Sequence, residues 1–103
     1  MRPIVLAALD KTRPVLVLTR DVAFGYLSKV TIAPITSTVR GLSTELPLGP
    51  ANGLDHSCVA SCDNVTTIAK DAIIKQVGYL HDSQEADLTR SLANAFDLQQ
   101  ATF

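Results

Sequence analysis

The twelve residues Val30 to Gly41, V-T-I-A-P-I-T-S-T-V-R-G, decide how the rest of the chain is read. They begin as a strand, Val30-Thr31-Ile32-Ala33-Pro34-Ile35, whose apolar residues alternate too poorly for one face to be wet, so both faces are expected to be covered. The strand ends in three hydroxyls, Thr36, Ser37 and Thr38, followed by Arg40. An apolar strand that opens into hydroxyls and a cation outlines an anion site. A second apolar run, Pro14-Val15-Leu16-Val17-Leu18-Thr19, is preceded by Arg13 and reads as a central strand beside the first. Pro14 fits the first position of a strand, and it keeps Arg13 out of helical geometry. If Arg13 and Thr36 meet at one end of the sheet, they form a pair suited to a phosphodiester.

The surrounding sequence supplies the other strands. Residues 3–8, 43–48, 57–61 and 75–80 read as strands, which with 14–19 and 29–36 makes six. Residues 20–29 form a loop or one helical turn around Gly25, residues 49–53 are dense in turn formers, and Asp63-Asn64 closes the fifth strand. Residues 68–73 read as a short helical turn. Ser83 stands as an N-cap ahead of Gln84, Glu85 and Asp87, opening a helix with Leu88, Leu92, Ala95 and Phe96 on one apolar stripe. The expected fold is mainly β with a C-terminal helix, a small barrel or half-barrel plugged by that helix, spanning 1–103 as one domain.

Composition sets limits. A chain of 103 residues with 47% apolar residues can bury a core without staples and is not a disordered chain. The formal charge of −1 gives no global sign of a nucleic-acid binder. The charge is nevertheless uneven, because Lys11, Arg13, Arg20, Lys29 and Arg40 lie in the first forty residues while Asp82, Glu85, Asp87 and Asp97 lie late. No run approaches the roughly 18 apolar residues of a membrane span, and Ile4 to Leu9 is too short for a signal peptide, so a cytoplasmic protein is expected. Cys58 and Cys62, four apart on one extended strand, would lie about 13 Å from each other. That is too far for a disulfide, and with no clustered ligands nearby they read as buried thiols rather than a zinc site.

Taken in order, Arg13-Pro14-Val15-Leu16-Val17-Leu18, Ala33-Pro34-Ile35-Thr36-Ser37-Thr38, Cys62-Asp63-Asn64-Val65-Thr66-Thr67-Ile68 and Gly78-Tyr79-Leu80 with a final helix resemble the MazF/PemK family of toxin–antitoxin ribonucleases. The resemblance runs from Arg13 to Leu98. It implies an SH3-like barrel, a homodimer, metal-independent cutting of single-stranded RNA at short sequences without a cofactor, growth inhibition, and restraint by a cognate antitoxin. On this resemblance Arg13 and Thr36 are the catalytic residues, and Asp63 and Asn64 support the RNA groove. Ser37, Thr38 and Arg40 read as its rim, contacting RNA or serving as loop chemistry, and Asp10 and Lys11 complete the expected RNA-binding set. The opening Met1-Arg2-Pro3-Ile4-Val5 and the short loop ahead of Arg13, with Asp10 its one acid, depart from the family's pattern.

The chemistry asked of these residues is limited. RNA carries its own nucleophile, the 2′-hydroxyl, so a protein needs to hold in-line geometry, stabilise phosphoryl charge and move two protons. A guanidinium suits the second task and is a poor acid. Thr36 can donate to a phosphate oxygen but is no base, which leaves Asp10, a water, or one of the histidines, His56 and His81. Read without the resemblance, Arg13 is a solvated strand-edge charge, Thr36 a β-former, and Asp63-Asn64 a turn. Phe24 and Tyr26 can stack on bases or pack. Two other functions fit the same fold: a non-enzymatic gyrase-binding poison of the CcdB type, acting through the tail 99–103, and an inactive antitoxin-binding partner.

Overall fold

The computed structural model describes residues 1–99. Seven strands and two helices follow in order: β1 (Arg2–Ala8), β2 (Thr12–Val17), α1 (Asp21–Phe24), β3 (Lys29–Thr36), β4 (Glu45–Leu48), β5 (Cys58–Ser61), β6 (Thr66–Ala69), β7 (Ile73–Leu80) and α2 (Glu85–Ala95). The sheet runs β4-β5-β3-β2-β1-β7, all neighbours antiparallel, with β6 added to β3. The mainly β half-barrel with a C-terminal helix is the architecture expected. Among the described residues no helix is long and apolar enough to cross a membrane. Of the tail 99–103 considered for gyrase binding, residues 100–103 lie outside the described part.

The long strand β3 organises the barrel because it changes partner along its length. On one edge it pairs with β2 at Ile32–Pro34; on the other it pairs with β6 at Lys29–Ile32 and then with β5 at Ile35–Thr36. Its poor alternation has the expected cause. Val30 and Ile32 enter one core with Val5, Ala7, Val15 and Val17, while Ala33 and Ile35 enter the other with Ile4, Leu16, Leu46, Ala60 and Leu88. Pro34 lies where β3 has passed β6 and not yet met β5, and Pro14 lies beyond the last β2–β3 pair, Val15↔Pro34. Each proline, lacking an N–H, therefore stands where the ladder is interrupted on one side.

Several expected boundaries move. Strand β2 starts at Thr12 and stops at Val17, so Pro14 is its third residue, and Leu18 and Thr19 leave the ladder to bind Thr31. The sixth strand of the barrel, Thr66–Ala69, is an addition to the six expected. Its Thr66 and Thr67 are exposed, so it has no apolar alternation to reveal it, and only Lys70–Ala72 keeps the expected helical turn. Ser83 does not cap α2. The helix is entered through a 3-10 turn at Asp82–Gln84, and its N-terminus is held by Arg2, whose Nε donates to Glu85 at 2.8 Å. Leu88 is buried against the sheet with Leu92 and Ala95 beside it, but Phe96 is 57% exposed and falls off the stripe.

The free edges β4 and β7 are joined by side chains and close backbone approach instead of a ladder. Asn52, buried in the turn after β4, donates its Nδ2 to the carbonyl of Tyr79 at 2.9 Å and to Gln84 Oε1 at 2.7 Å, and its Oδ1 accepts from Gly49 N. Next to it Gly53 is left-handed, φ 85°, and meets Gly78 of β7 so closely that a Cβ on Gly78 would lie 1.8 Å from the Asn52 carbonyl oxygen. Only glycine permits that approach. The clasp fixes the segment after β4 against β7.

Candidate active site

The β2–β3 ladder ends at Val15↔Pro34, and beyond that pair Arg13 of β2 and Thr36 of β3 stand at the same end of the sheet. The two side chains stand on a ridge between two cavities and line both. The first, about 580 Å³, is also lined by Lys11, Ser37, His56 and Lys75 over an apolar floor of Leu6, Pro14 and Val77. The second, about 560 Å³, is lined by Thr38, Arg40, Asp63 and Asn64, with Glu45 and Ser61. Eight of the nine residues expected at the site line one cavity or the other. The ninth, Asp10, lines neither, but it is bonded to Arg13.

That bond shapes the guanidinium. Arg13 Nε donates to Asp10 Oδ1 at 3.1 Å and Nη2 donates to Oδ2 at 3.2 Å, a two-point grip that fixes the plane of the fork. Among the described residues Nη1 has no hydrogen-bond partner, so it is left to a ligand. The hydrogen bonds from Arg13, with help from the Lys11 backbone, lower the Asp10 carboxyl to about 2. Asp10 in turn raises Arg13 above its already high value. The pair therefore makes Arg13 a better-held cation and Asp10 a poorer base.

Thr36 is prepared in a complementary way. Its Oγ1 accepts from Thr38 N at 3.1 Å, the local turn typical of a hydroxyl residue leaving a strand. With an acceptor position filled, the hydroxyl proton remains to be donated. The loop that follows is shaped by Glu45, a residue sequence reading passed over: its carboxylate accepts from Arg40 N at 3.1 Å and from Leu42 N at 3.0 Å around the left-handed Gly41. Asp63 accepts from Thr44 Oγ1 at 2.6 Å and Asn64 donates to Ser61 Oγ at 2.7 Å. Both lie in a turn, as expected, here a 3-10 turn at Cys62–Asn64, with their side chains bonded to Thr44 and Ser61, and both line the second cavity.

The remaining candidates separate. His56 is exposed on the wall of the first cavity, which Arg13 and Thr36 also line. His81 lies outside both cavities, with Nε2 2.6 Å from the carbonyl oxygen of Ala51. Phe24 packs on the core of Val30 and Ile32 under Lys70, whose Nζ sits 4.9 Å from the ring centroid, and it is not a base-stacking platform at this site. Tyr26 is exposed but lines neither cavity. Cys58 and Cys62 are free, buried thiols; burial pushes both up, Cys62 to about 11 with a further push from Asp63. Lys75 was visible in the sequence only as part of a strand, and nothing short of the β1–β7 register reveals where it lies.

Known proteins share this frame. Endoribonuclease MazF3 of Mycobacterium tuberculosis is 55% identical over 98 residues, 95% of this chain and 95% of that protein. The solved structure of Mycobacterium tuberculosis toxin MazF-mt6 superposes with a TM-score of 0.94 at 54% identity, covering 96% of this chain and all of that one. An endoribonuclease in complex with its cognate antitoxin from a mycobacterial species shares the fold at 22% identity, TM-score 0.85 over 96% of this chain and 95% of that one. Residues 3–96 match the family described as PemK-like, MazF-like toxin of type II toxin-antitoxin system. With almost every residue of the barrel and of the Arg13–Thr36 ridge inside that match, the chain belongs to the PemK-like, MazF-like toxin family.

Proposed function

We propose that this chain is an endoribonuclease toxin that cuts single-stranded RNA at short sequences, without a metal or cofactor, through attack of the RNA's own 2′-hydroxyl. The observation that carries this reading is the pairing of a fixed guanidinium and a free hydroxyl proton on the ridge between two cavities. A scissile phosphate on that ridge receives Arg13 Nη1 and Thr36 Oγ1 on its non-bridging oxygens, where charge develops as the 2′-oxygen adds. The 2′-O–P bond forms as the P–5′-O bond breaks, leaving a 2′,3′-cyclic phosphate and a 5′-oxygen that takes a proton from water to become the 5′-hydroxyl. Asp10, held at about 2, is too weakly basic for the 2′-proton, which passes to His56 or to water.

The strand continues into both cavities. Lys11 and Ser37 meet it in the first; Thr38, Arg40, Asp63 and Asn64 meet it in the second, where carboxylate and amide groups can read base edges while the cations position the backbone. The toxin acts as a homodimer in the cytoplasm and is held inactive by its cognate antitoxin. The MazF3 relative is named as an endoribonuclease.

The test is digestion of a long unstructured RNA in excess EDTA by wild type, Arg13→Ala and Thr36→Ala, with fragment ends identified. Discrete cuts with upstream cyclic phosphates, reduced at least about a hundredfold in either variant, are expected. A folded wild type that leaves RNA intact, yet still arrests growth, would replace this reading with a binding poison.

A further inference from the structure

We propose that Lys75 forms a second phosphate subsite in the first cavity, which Lys11 also lines, gripping a backbone phosphate that flanks the one on the ridge. The proposal rests on the ribonuclease reading and extends it to a residue on β7.

The placement follows from register. Lys75 of β7 pairs with Leu6 of β1, and Leu6 pairs with Pro14 of β2, so the three stand in one row across the sheet. Residues directly opposite on antiparallel strands share a face. Lys75, Leu6 and Pro14 therefore face the same cavity, and all three line it. The cavity floor between Arg13 and Lys75 is apolar, and its two ends are cationic.

Charge is concentrated there against the trend of the chain. The net charge is −1, yet Lys11, Arg13 and Lys75 line this cavity against one carboxylate, Asp55. Both lysines are exposed, and among the described residues neither forms an ion pair. They are cations with no structural task in the barrel. Strand β7 lies two strand spacings from β2, about 10 Å. Lys75 is accordingly too far from Arg13 to share one phosphate comfortably and well placed to take another, with the sugar between them resting on Leu6 and Pro14. A lysine acts here as a point charge on the backbone, carrying no base information.

The experiment measures binding of an RNA made uncuttable by a 2′-deoxyribose at the cleavage position, at several salt concentrations, by wild type, Lys75→Gln, Lys75→Arg and Lys11→Gln. Thermal melts confirm that each variant is folded. For single strands each phosphate contact contributes about 0.7 to the slope of log affinity against log salt. Lys75→Gln is expected to lower the slope by about that amount and Lys75→Arg to keep it. Single methylphosphonates, which remove one backbone charge, should weaken wild type at one flanking position and leave Lys75→Gln indifferent there. A wild-type slope in Lys75→Gln, or the same methylphosphonate profile in both proteins, overturns the subsite while leaving the nuclease reading intact. Failure of wild type to bind or cut RNA overturns both.

Discussion

Arg13 commits two of its three guanidinium nitrogens, Nε and Nη2, to Asp10, which leaves Nη1 open. Asp10 is therefore an orienting group. Its carboxyl titrates at about 2 against an ordinary 3.8, so the pair is complete above roughly pH 4 and is lost only as pH falls through about 2. We expect Asp10→Asn to cut RNA more slowly, by about tenfold for loss of an oriented guanidinium, with a pH–rate profile of unchanged shape between pH 5 and 9. Disappearance of an acid limb in that variant would instead make Asp10 the base. The thiols give a second check at this scale. Burial raises Cys58 and Cys62, so neither should react with a disulfide reagent at pH 8 in the native protein, and both should react once it is unfolded. Arg13 and Thr36 were legible in the sequence because strand and chemistry coincide there. Glu45 and Lys75 were not, since one acts through backbone N–H groups of a loop and the other through a strand pairing between opposite ends of the chain.

Among the elements, the sequence reads well wherever apolar residues carry the pattern. Strands β1, β3, β5 and β7 fall within a residue or two of expectation. The omissions share one cause: β6 is held by its backbone ladder to β3 and leaves its threonines in water, and α2 is entered through a turn that Gln84 fastens to Asn52 rather than through a serine cap. The clasp itself is written in two glycines whose meaning depends on each other. Gly78→Ala should be among the most damaging single substitutions, because its Cβ would meet backbone, which cannot move aside. Asn52→Leu leaves the Tyr79 carbonyl, Gly49 N and Gln84 without their buried partner and should lower stability by about 2–4 kcal/mol, read by denaturant melts. Retention of wild-type stability in either variant would mean that the barrel edges are held by something else.

As a whole, the molecule places two apolar cores on opposite faces of one sheet and sets its polar site at the end where β2 and β3 separate. Ile74, Tyr79, Val39 and Leu42 remain largely exposed on the outside. A homodimer would cover part of this surface, and sedimentation is expected to give twice the chain mass at micromolar concentration; a monomer throughout would refute the assembly. The clasp has a further consequence, in the order of synthesis. The first cavity needs Arg13 and Thr36 from the first third of the chain, but its far wall is Lys75 and Val77, and β1 obtains its second neighbour only when β7 exists. A ribosome making this protein therefore releases the ridge long before the groove around it can close. On the proposed mechanism the nascent chain carries Arg13 and Thr36 past the translating message without a finished site, and it would become a hazard to RNA only when residues near Gly78 have emerged to lock against Asn52.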